Sequence, residues 1–272
     1  MRSPFSSRSQ PEPARRPAPA QVPQLSTVDV AACYRSARVG GDYFEFVRVA
    51  SGRLLLALLD IAGDSHETMP VAAAVQQLLH KRGPELFGAA DLNEADAIAE
   101  LVLLMNRTIL AATDRLHHTP AFVACYNEPV GVLTYINAGH TPGLLKDADS
   151  IELLPANGLP LGLFSHSTHD AQIAVIAPQA TVLLVSRGLI EIRSGREEFG
   201  LERLCRSFQQ STARSAAQLC EEILHETSQF VRLGNGGMLG RILKVAGSDR
   251  IENDVTAVAL ARHAVAASAS AS

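Results

Sequence analysis

Two aspartates carry the most chemical information in this sequence. Asp42 follows Gly40-Gly41, and Asp60 ends the run Arg53-Leu-Leu-Leu-Ala-Leu-Leu-Asp60 and precedes Ile61-Ala62-Gly63. Between them lies Ala50-Ser51-Gly52, a three-residue hairpin loop in which glycine supplies the left-handed position. Residues 42 and 60 are symmetric about 51, so this loop places them directly opposite each other. Cβ atoms of such cross-strand pairs lie about 4.5–5.5 Å apart, and like charges there repel. A divalent cation between the two carboxylates removes the repulsion, and hard oxygen donors suit Mg2+ or Mn2+. The flanking glycines allow close backbone approach, which adds the Ile61 carbonyl as a candidate ligand. The alternative is that each aspartate only caps a turn, and a slip of one residue in register separates the pair.

The elements that must position this pair follow from periodicity. Val28, Val30, Ala32 and Tyr34 alternate as a half-buried strand does. The hairpin strands Tyr43 to Ala50 and Arg53 to Asp60 come next. A helix is expected through Met69 to Lys81 and a longer one from Asp96 to Leu116. In the second, Ile98, Leu101, Val102, Met105 and Ile109 form one face, and Asp91 or Asn93 caps the start. Short strands are expected at Ala121 to Tyr126, Val132 to Asn137, Gly143 to Lys146, Gln172 to Ile176 and Thr181 to Ser186. Helices fit Leu201 to Gln210 and Ala216 to Val231, the latter capped by Ser215, and Val255 to Ala261 reads as a last strand. Hairpins interrupted by paired helices, without strict βαβ alternation, indicate an α+β fold.

Composition bounds the rest. The 272 residues are 47% hydrophobic and 19% charged, enough to fold around a sizeable core. Lys plus Arg is 24 and Asp plus Glu is 28, a formal charge of -4 with no electrostatic footprint for nucleic acid or an anionic membrane surface. The longest apolar run, Leu54 to Leu59, is far short of the roughly 20 residues that span a bilayer. No signal segment opens the sequence, so a cytoplasmic location is expected. Cys33, Cys125, Cys205 and Cys220 are scattered without C-x-x-C spacing and read as reduced thiols rather than a zinc site or a disulfide framework. Neither G-x-x-x-x-G-K-[ST] nor G-x-G-x-x-G occurs. Residues 1–24 interleave six prolines with Arg2, Arg8, Arg15 and Arg16 and are expected to form a disordered arm. Residues 25–263 are expected to form one domain, and 264–272 a flexible tail of small residues.

Several stretches resemble one family. Ala37-Arg38-Val39-Gly40-Gly41-Asp42-Tyr43-Phe44, Leu59-Asp60-Ile61-Ala62-Gly63, Asn137-Ala138-Gly139-His140, Gly158-Leu159-Pro160-Leu161-Gly162, Glu198 to Leu204 and Asn253-Asp254-Val255-Thr256 occur in the order used by the SpoIIE branch of the PPM (protein phosphatase 2C-like) metal-dependent serine/threonine phosphatases. The resemblance spans residues 27 to 262. It implies an α-β-β-α sandwich of two antiparallel sheets flanked by helices. It also implies a site in which Asp42 ligates one Mg2+ or Mn2+ ion, Asp60 bridges two, and the Ile61 carbonyl assists. Metal-activated water would then hydrolyse phosphoserine or phosphothreonine, with Arg38 as a phosphate contact. No role follows for His140 beyond a structural one in its loop. The partner implied is a phosphorylatable regulatory protein such as a STAS-domain anti-anti-sigma factor. With no recognisable sensor segment, regulation is expected through the N-terminal arm, a partner or abundance.

Two departures from the family matter. Where the family carries a metal-binding aspartate this sequence has Arg187, and the first of the two acids before the last strand is Asn253, followed by Asp254. Arginine stays protonated and offers no lone pair. Its guanidinium is expected to pair with Asp60 in place of an ion. The expectation is therefore a phosphatase weakened by Arg187 and Asn253. Asp254, Asp64, Glu191 or Glu252 are candidate replacement acids, and a non-catalytic pseudophosphatase that binds a partner is the alternative.

Overall fold

The computed structural model describes residues 16–36, 41–49, 52–112, 118–148, 150–234 and 253–264. Twelve strands and five helices appear among them: β1 (Val28–Arg35), β2 (Asp42–Val49), β3 (Arg53–Asp60), α1 (Ser65–Phe87), α2 (Glu94–Ala112), β4 (Ala121–Asn127), β5 (Val132–Ala138), β6 (Gly143–Lys146), β7 (Ile151–Leu154), β8 (Gln172–Val175), β9 (Thr181–Val185), α3 (Arg187–Ile190), β10 (Arg193–Ser194), β11 (Glu197–Glu198), α4 (Gly200–Gln210), α5 (Ala216–Gly234) and β12 (Val255–Arg262). One antiparallel sheet has the order β2-β3-β4-β5-β8, the other β1-β12-β9-β6-β7, and β10-β11 is a separate small hairpin.

Side-chain alternation along the strands builds four layers. In β3, Leu54, Leu56 and Leu58 point into the core between the sheets, where they meet Phe122, Tyr126, Leu184, Val258 and Leu260. Leu55, Ala57 and Leu59 point the other way, onto Val75, Leu79, Leu101 and Met105 of α1 and α2. The second sheet does the same with α4 and α5: Leu183, Val185, Ala257 and Ala259 pack with Leu204, Phe208, Cys220 and Ile223. Strands covered on both faces read as continuous apolar runs, which explains the unbroken Leu-Leu-Leu-Ala-Leu-Leu of β3. The result is the expected α-β-β-α sandwich. None of the helices in the described residues is long and apolar enough to cross a membrane. All four cysteines are free, with Cys125 and Cys220 buried.

The hairpin register is the one the three-residue loop requires. Val49 pairs with Arg53 and Asp42 pairs with Asp60, and Gly52 has φ +71°. Other expectations shift. Helix α1 starts at Ser65 rather than Met69 because Asp64 builds a capping box with Glu67. Asp64 Oδ1 accepts from the His66 and Glu67 amides at 2.9 and 3.2 Å, and Glu67 returns a bond to the Asp64 amide at 3.3 Å. The first turn is polar, so apolar periodicity does not mark it. Asn93, not Asp91, caps α2, accepting from the Ala95 amide at 3.1 Å. The expected extension of α2 to Leu116 lies outside the described residues. Strands β10 and β11 and helix α3 are too short to carry a periodic signal, and β7, Ile151-Glu152-Leu153-Leu154, does not alternate.

Residues 16–24 have no helix or strand, yet they do not form the free arm that their composition suggests. The Gln76 amide clasps Ala18, accepting from its N–H at 2.8 Å and donating to its carbonyl at 2.9 Å. The Arg48 guanidinium donates to the Gln24 carbonyl at 3.0 Å. Residues 1–15 and 265–272 lie outside the described residues. The capping role of Asp64 makes a prediction: Asp64→Ala lowers unfolding free energy in urea by about 1 kcal/mol and leaves Mn2+ binding, measured by calorimetry, unchanged. Loss of metal binding would return Asp64 to the candidate ligands.

Candidate metal centre

The two sheets meet at one end in a cleft of about 240 Å³, lined by Asp42, Asp60, Ile61, Arg187, Asn253 and Asp254 together with small residues. Each acid is positioned by a different element. Asp42 opens β2 and Asp60 closes β3, opposite one another. The Asp60 amide donates to the Pro120 carbonyl at 2.9 Å, and the Ile61 amide to the Gly41 carbonyl at 2.8 Å. A Cβ on Gly41 would sit 2.7 Å from the Ile61 carbonyl oxygen, so glycine is required for the backbone to close there. Asp254, just before β12, is buried. Its Oδ2 accepts from the Tyr34 hydroxyl at 2.7 Å and from the Gly41 amide at 2.9 Å.

Asp42 is held from the opposite sheet. The Thr256 hydroxyl donates to its Oδ2 at 2.6 Å. Thr256 is fixed in turn by Ser186: the Thr256 amide donates to Ser186 Oγ at 3.0 Å, and the Ser186 amide to the Thr256 carbonyl at 3.0 Å. Gly188 follows where a Cβ would lie 2.1 Å from the Asp254 carbonyl oxygen, so this turn reaches the strand end only without a side chain. Neither Thr256 nor Tyr34 was identified from sequence as part of the site. Thr256 stands in the Asn253-Asp254-Val255-Thr256 motif, and Tyr34 looked like one more alternating strand residue.

Arg187 lies in the cleft as its charge requires. Its Nε is 3.4 Å from Asp60 Oδ2 and 3.7 Å from Glu191 Oε1. Glu191 therefore pairs with Arg187, Asp64 caps α1, and Asn253 is exposed on the rim. Of the replacement acids suggested by the sequence, Asp254 alone lines the cleft among the described residues; Glu252 and the phosphate contact Arg38 lie outside them. His140 is buried and does not line the cleft. Its amide donates to Asn137 Oδ1 at 2.8 Å. Its Nδ1 is 3.0 Å from the Thr141 hydroxyl, whose own proton goes to the Val185 carbonyl, an arrangement that assigns the ring proton to Nδ1. Burial pushes this imidazole down to about 4, so it is neutral and ties the loop to the end of β9.

The electrostatics are those of an anion-rich, partly dry site. Burial pushes the Asp42 carboxyl up to about 7, against the bonds from Ser186 and Thr256 that favour its charged form, and the charges of Asp60 and Asp254 add to the rise. Burial also raises Asp60, although Arg187 opposes it. Such a site fits a cation with oxygen preference at Asp42, Asp60 and the Ile61 carbonyl. A second ion beside Asp60 does not fit the residues present, because a guanidinium occupies that side and Asn253 brings no charge.

A carboxyl raised from 3.8 to about 7 on folding binds its proton more tightly folded than unfolded. Its penalty is absent below 3.8, grows between the two values and is complete above about 7. In chelator, Asp42→Asn should therefore melt higher than the parent protein at pH 8, with the gap closing toward pH 4. An equal gap at both pH values would show that Asp42 does not titrate in this window.

Comparison with known proteins agrees with the two-sheet architecture. Residues 50–263, well over half the chain, match the family model described as Stage II sporulation protein E (SpoIIE). Comparison with curated proteins gives no match. Among solved structures, the RsbU and RsbW domains of Rv1364c from Mycobacterium tuberculosis superpose with a TM-score of 0.63 at 23% identity, over 88% of this chain and 62% of that one. The PP2C phosphatase domain with a fragment of the regulatory domain of SpoIIE from Bacillus subtilis gives 0.66 at 16% identity, over 88% and 64%. RsbX in complex with magnesium gives 0.56 at 14% identity, over 89% and 98%. The chain thus spans less than two thirds of the first two solved chains, and at these identities the likeness is one of fold. The family match together with the two-sheet architecture makes this chain a member of the SpoIIE family, built on the PP2C-type phosphatase fold.

Proposed function

We propose that this protein is a serine/threonine phosphatase that acts in the cytoplasm on phosphoserine or phosphothreonine of a regulatory partner, such as a STAS-domain anti-anti-sigma factor, with activity weakened by Arg187 and Asn253. The observation that carries the reading is the face-to-face pair of Asp42 and Asp60 lining a cleft in which a guanidinium stands 3.4 Å from Asp60. Asp42, Asp60 and the Ile61 carbonyl would hold one Mg2+ or Mn2+. Membership in the SpoIIE family and the magnesium complex of the structural relative RsbX support this choice. Bound there, the ion supplies an acidified water at neutral pH and a Lewis acid for phosphoryl oxygens.

The protein's own groups do the positioning. Thr256 and, behind it, Ser186 fix the carboxylate of Asp42 from the second sheet. Tyr34 and Gly41 orient Asp254, the acid that remains on the Asn253 side of the cleft. Arg187 neutralises part of the charge of Asp60 and offers a fork matched to phosphate oxygens on the opposite wall. Arg38 remains the second phosphate contact implied by family resemblance. A second reading, a pseudophosphatase that binds its partner without turnover, is favoured by the same two substitutions, which remove carboxylates from the second metal position.

Turnover decides between them. Purified protein titrated with Mn2+ or Mg2+ should hydrolyse a generic phosphomonoester, and Asp60→Asn should abolish both turnover and calorimetric Mn2+ binding; retained binding would remove Asp60 from the ligand set. Arg187→Asp combined with Asn253→Asp should raise turnover by about tenfold or more, equivalent to ~1.4 kcal/mol of barrier. No turnover above the Asp60→Asn background, from folded protein at saturating metal, establishes the partner-binding reading instead.

A further inference from the structure

The acidic cleft has a neighbour of opposite character. A recess of about 420 Å³ shares Gly41, Asp42 and Ile61 with it and continues away between β2, α1 and the N-terminal strap. Its other walls are mostly apolar, with Pro17, Pro19, Tyr34, Phe44, Met69 and Ala72, and Thr68 adds one neutral hydroxyl. That volume falls within the ~300–1,000 Å³ of ordinary ligand pockets. Apart from Asp42 at the shared edge, it offers a ligand little charge to pair with.

The strap wall is built, not incidental. Pro17 and Pro19 have no N–H, so Ala18 carries the one amide donor of the three, and Pro19 biases Ala18 toward an extended backbone. The Gln76 amide takes both the N–H and the carbonyl of Ala18. Gln76 is itself held by the buried Glu45 carboxylate, to which it donates at 2.6 Å. Arg48 fixes the strap again at Gln24. On the facing side, the Tyr34 hydroxyl is committed to Asp254, so the residue meets the recess with its ring.

We propose that this recess is a specificity subsite, taking a large apolar side chain one or two residues from the phosphorylated serine or threonine of an extended partner segment. The inference rests on the reading of the Asp42–Asp60 cleft as the site of the phosphorylated residue. Continuity supplies the argument: a side chain held at Asp42 and its chain neighbour enter two compartments that share one edge, one charged and one apolar. The partner motif is thereby a phosphorylated residue beside Leu, Met or Phe rather than beside Asp, Glu or Gly.

The test is fluorescence anisotropy of labelled phosphoserine peptides, identical except for a flanking Leu or a flanking Gly, with the 272-residue chain and Mn2+. The Leu peptide should bind about tenfold tighter, the order expected for burying one large apolar side chain. Met69→Glu, which puts a charge on the half-buried recess wall, should bring the two peptides within about twofold. Gln76→Ala, which releases the strap, should narrow the preference as well. Equal affinity for the two peptides in the parent protein overturns the proposal, and so does a preference that survives both variants. Hydrolysis of a generic phosphomonoester is measured alongside. A flank preference without turnover keeps the subsite and removes the phosphatase reading, whereas turnover without a flank preference does the reverse.

Discussion

Two carboxylates facing each other at the open end of a hairpin, in a largely desolvated cleft, set the terms for everything around them. Burying one charge without a partner is costly, and burying two of the same sign at cross-strand distance is costlier. The protein answers from both sheets. Thr256 of β12 donates to Asp42, Tyr34 of β1 and the Gly41 amide hold Asp254, and Arg187 at the start of α3 stands over Asp60. Apart from Gly41, which adjoins Asp42, these partners lie off the hairpin that carries the pair. The centre therefore exists only when the two sheets are stacked, and the inter-sheet core of Leu54, Leu56, Leu58, Val258 and Leu260 is what stacks them.

The balance is incomplete by magnitude as well as by count. Arg187 is 55% exposed in its side chain, and an ion pair in that setting contributes about 0–1 kcal/mol. That is small against the desolvation of a carboxylate, which is why Asp60 stays raised despite its cationic neighbour. The residual demand for positive charge falls between Asp42 and Asp60, where oxygen donors converge and no cationic side chain among the described residues lines the cleft except Arg187. A guanidinium serves one side of Asp60, and the proposed ion would serve the other.

Much of this was legible in the amino-acid sequence. The hairpin register followed from the length of one loop and the glycine in it, the α+β class from hairpins interrupted by paired helices, and the layered sandwich from the family resemblance. Local chemistry, however, has several readings that the sequence does not separate. Asp64 and Glu191 looked equivalent to Asp254 as spare acids. In the folded chain one is a helix cap, one pairs with arginine, and one lines the cleft, because helix α1 begins where Asp64 and Glu67 close a capping box. Pro17 to Pro23 read as free chain because proline content reports on backbone donors and says nothing about the distant Gln76 that accepts from the Ala18 amide.

What the sequence determined by itself is whatever depends on near neighbours: periodicity, turn length, and the opposition of Asp42 and Asp60 within one hairpin. Only the tertiary structure decided which residues 70 to 220 positions apart share a hydrogen bond, such as Tyr34 with Asp254, Asp42 with Thr256, and Ser186 with Thr256. The physical reason is that a hydrogen bond or ion pair selects for residue types that are common throughout the chain. Their spacing in sequence carries no trace of a meeting arranged by the packing of one sheet on another.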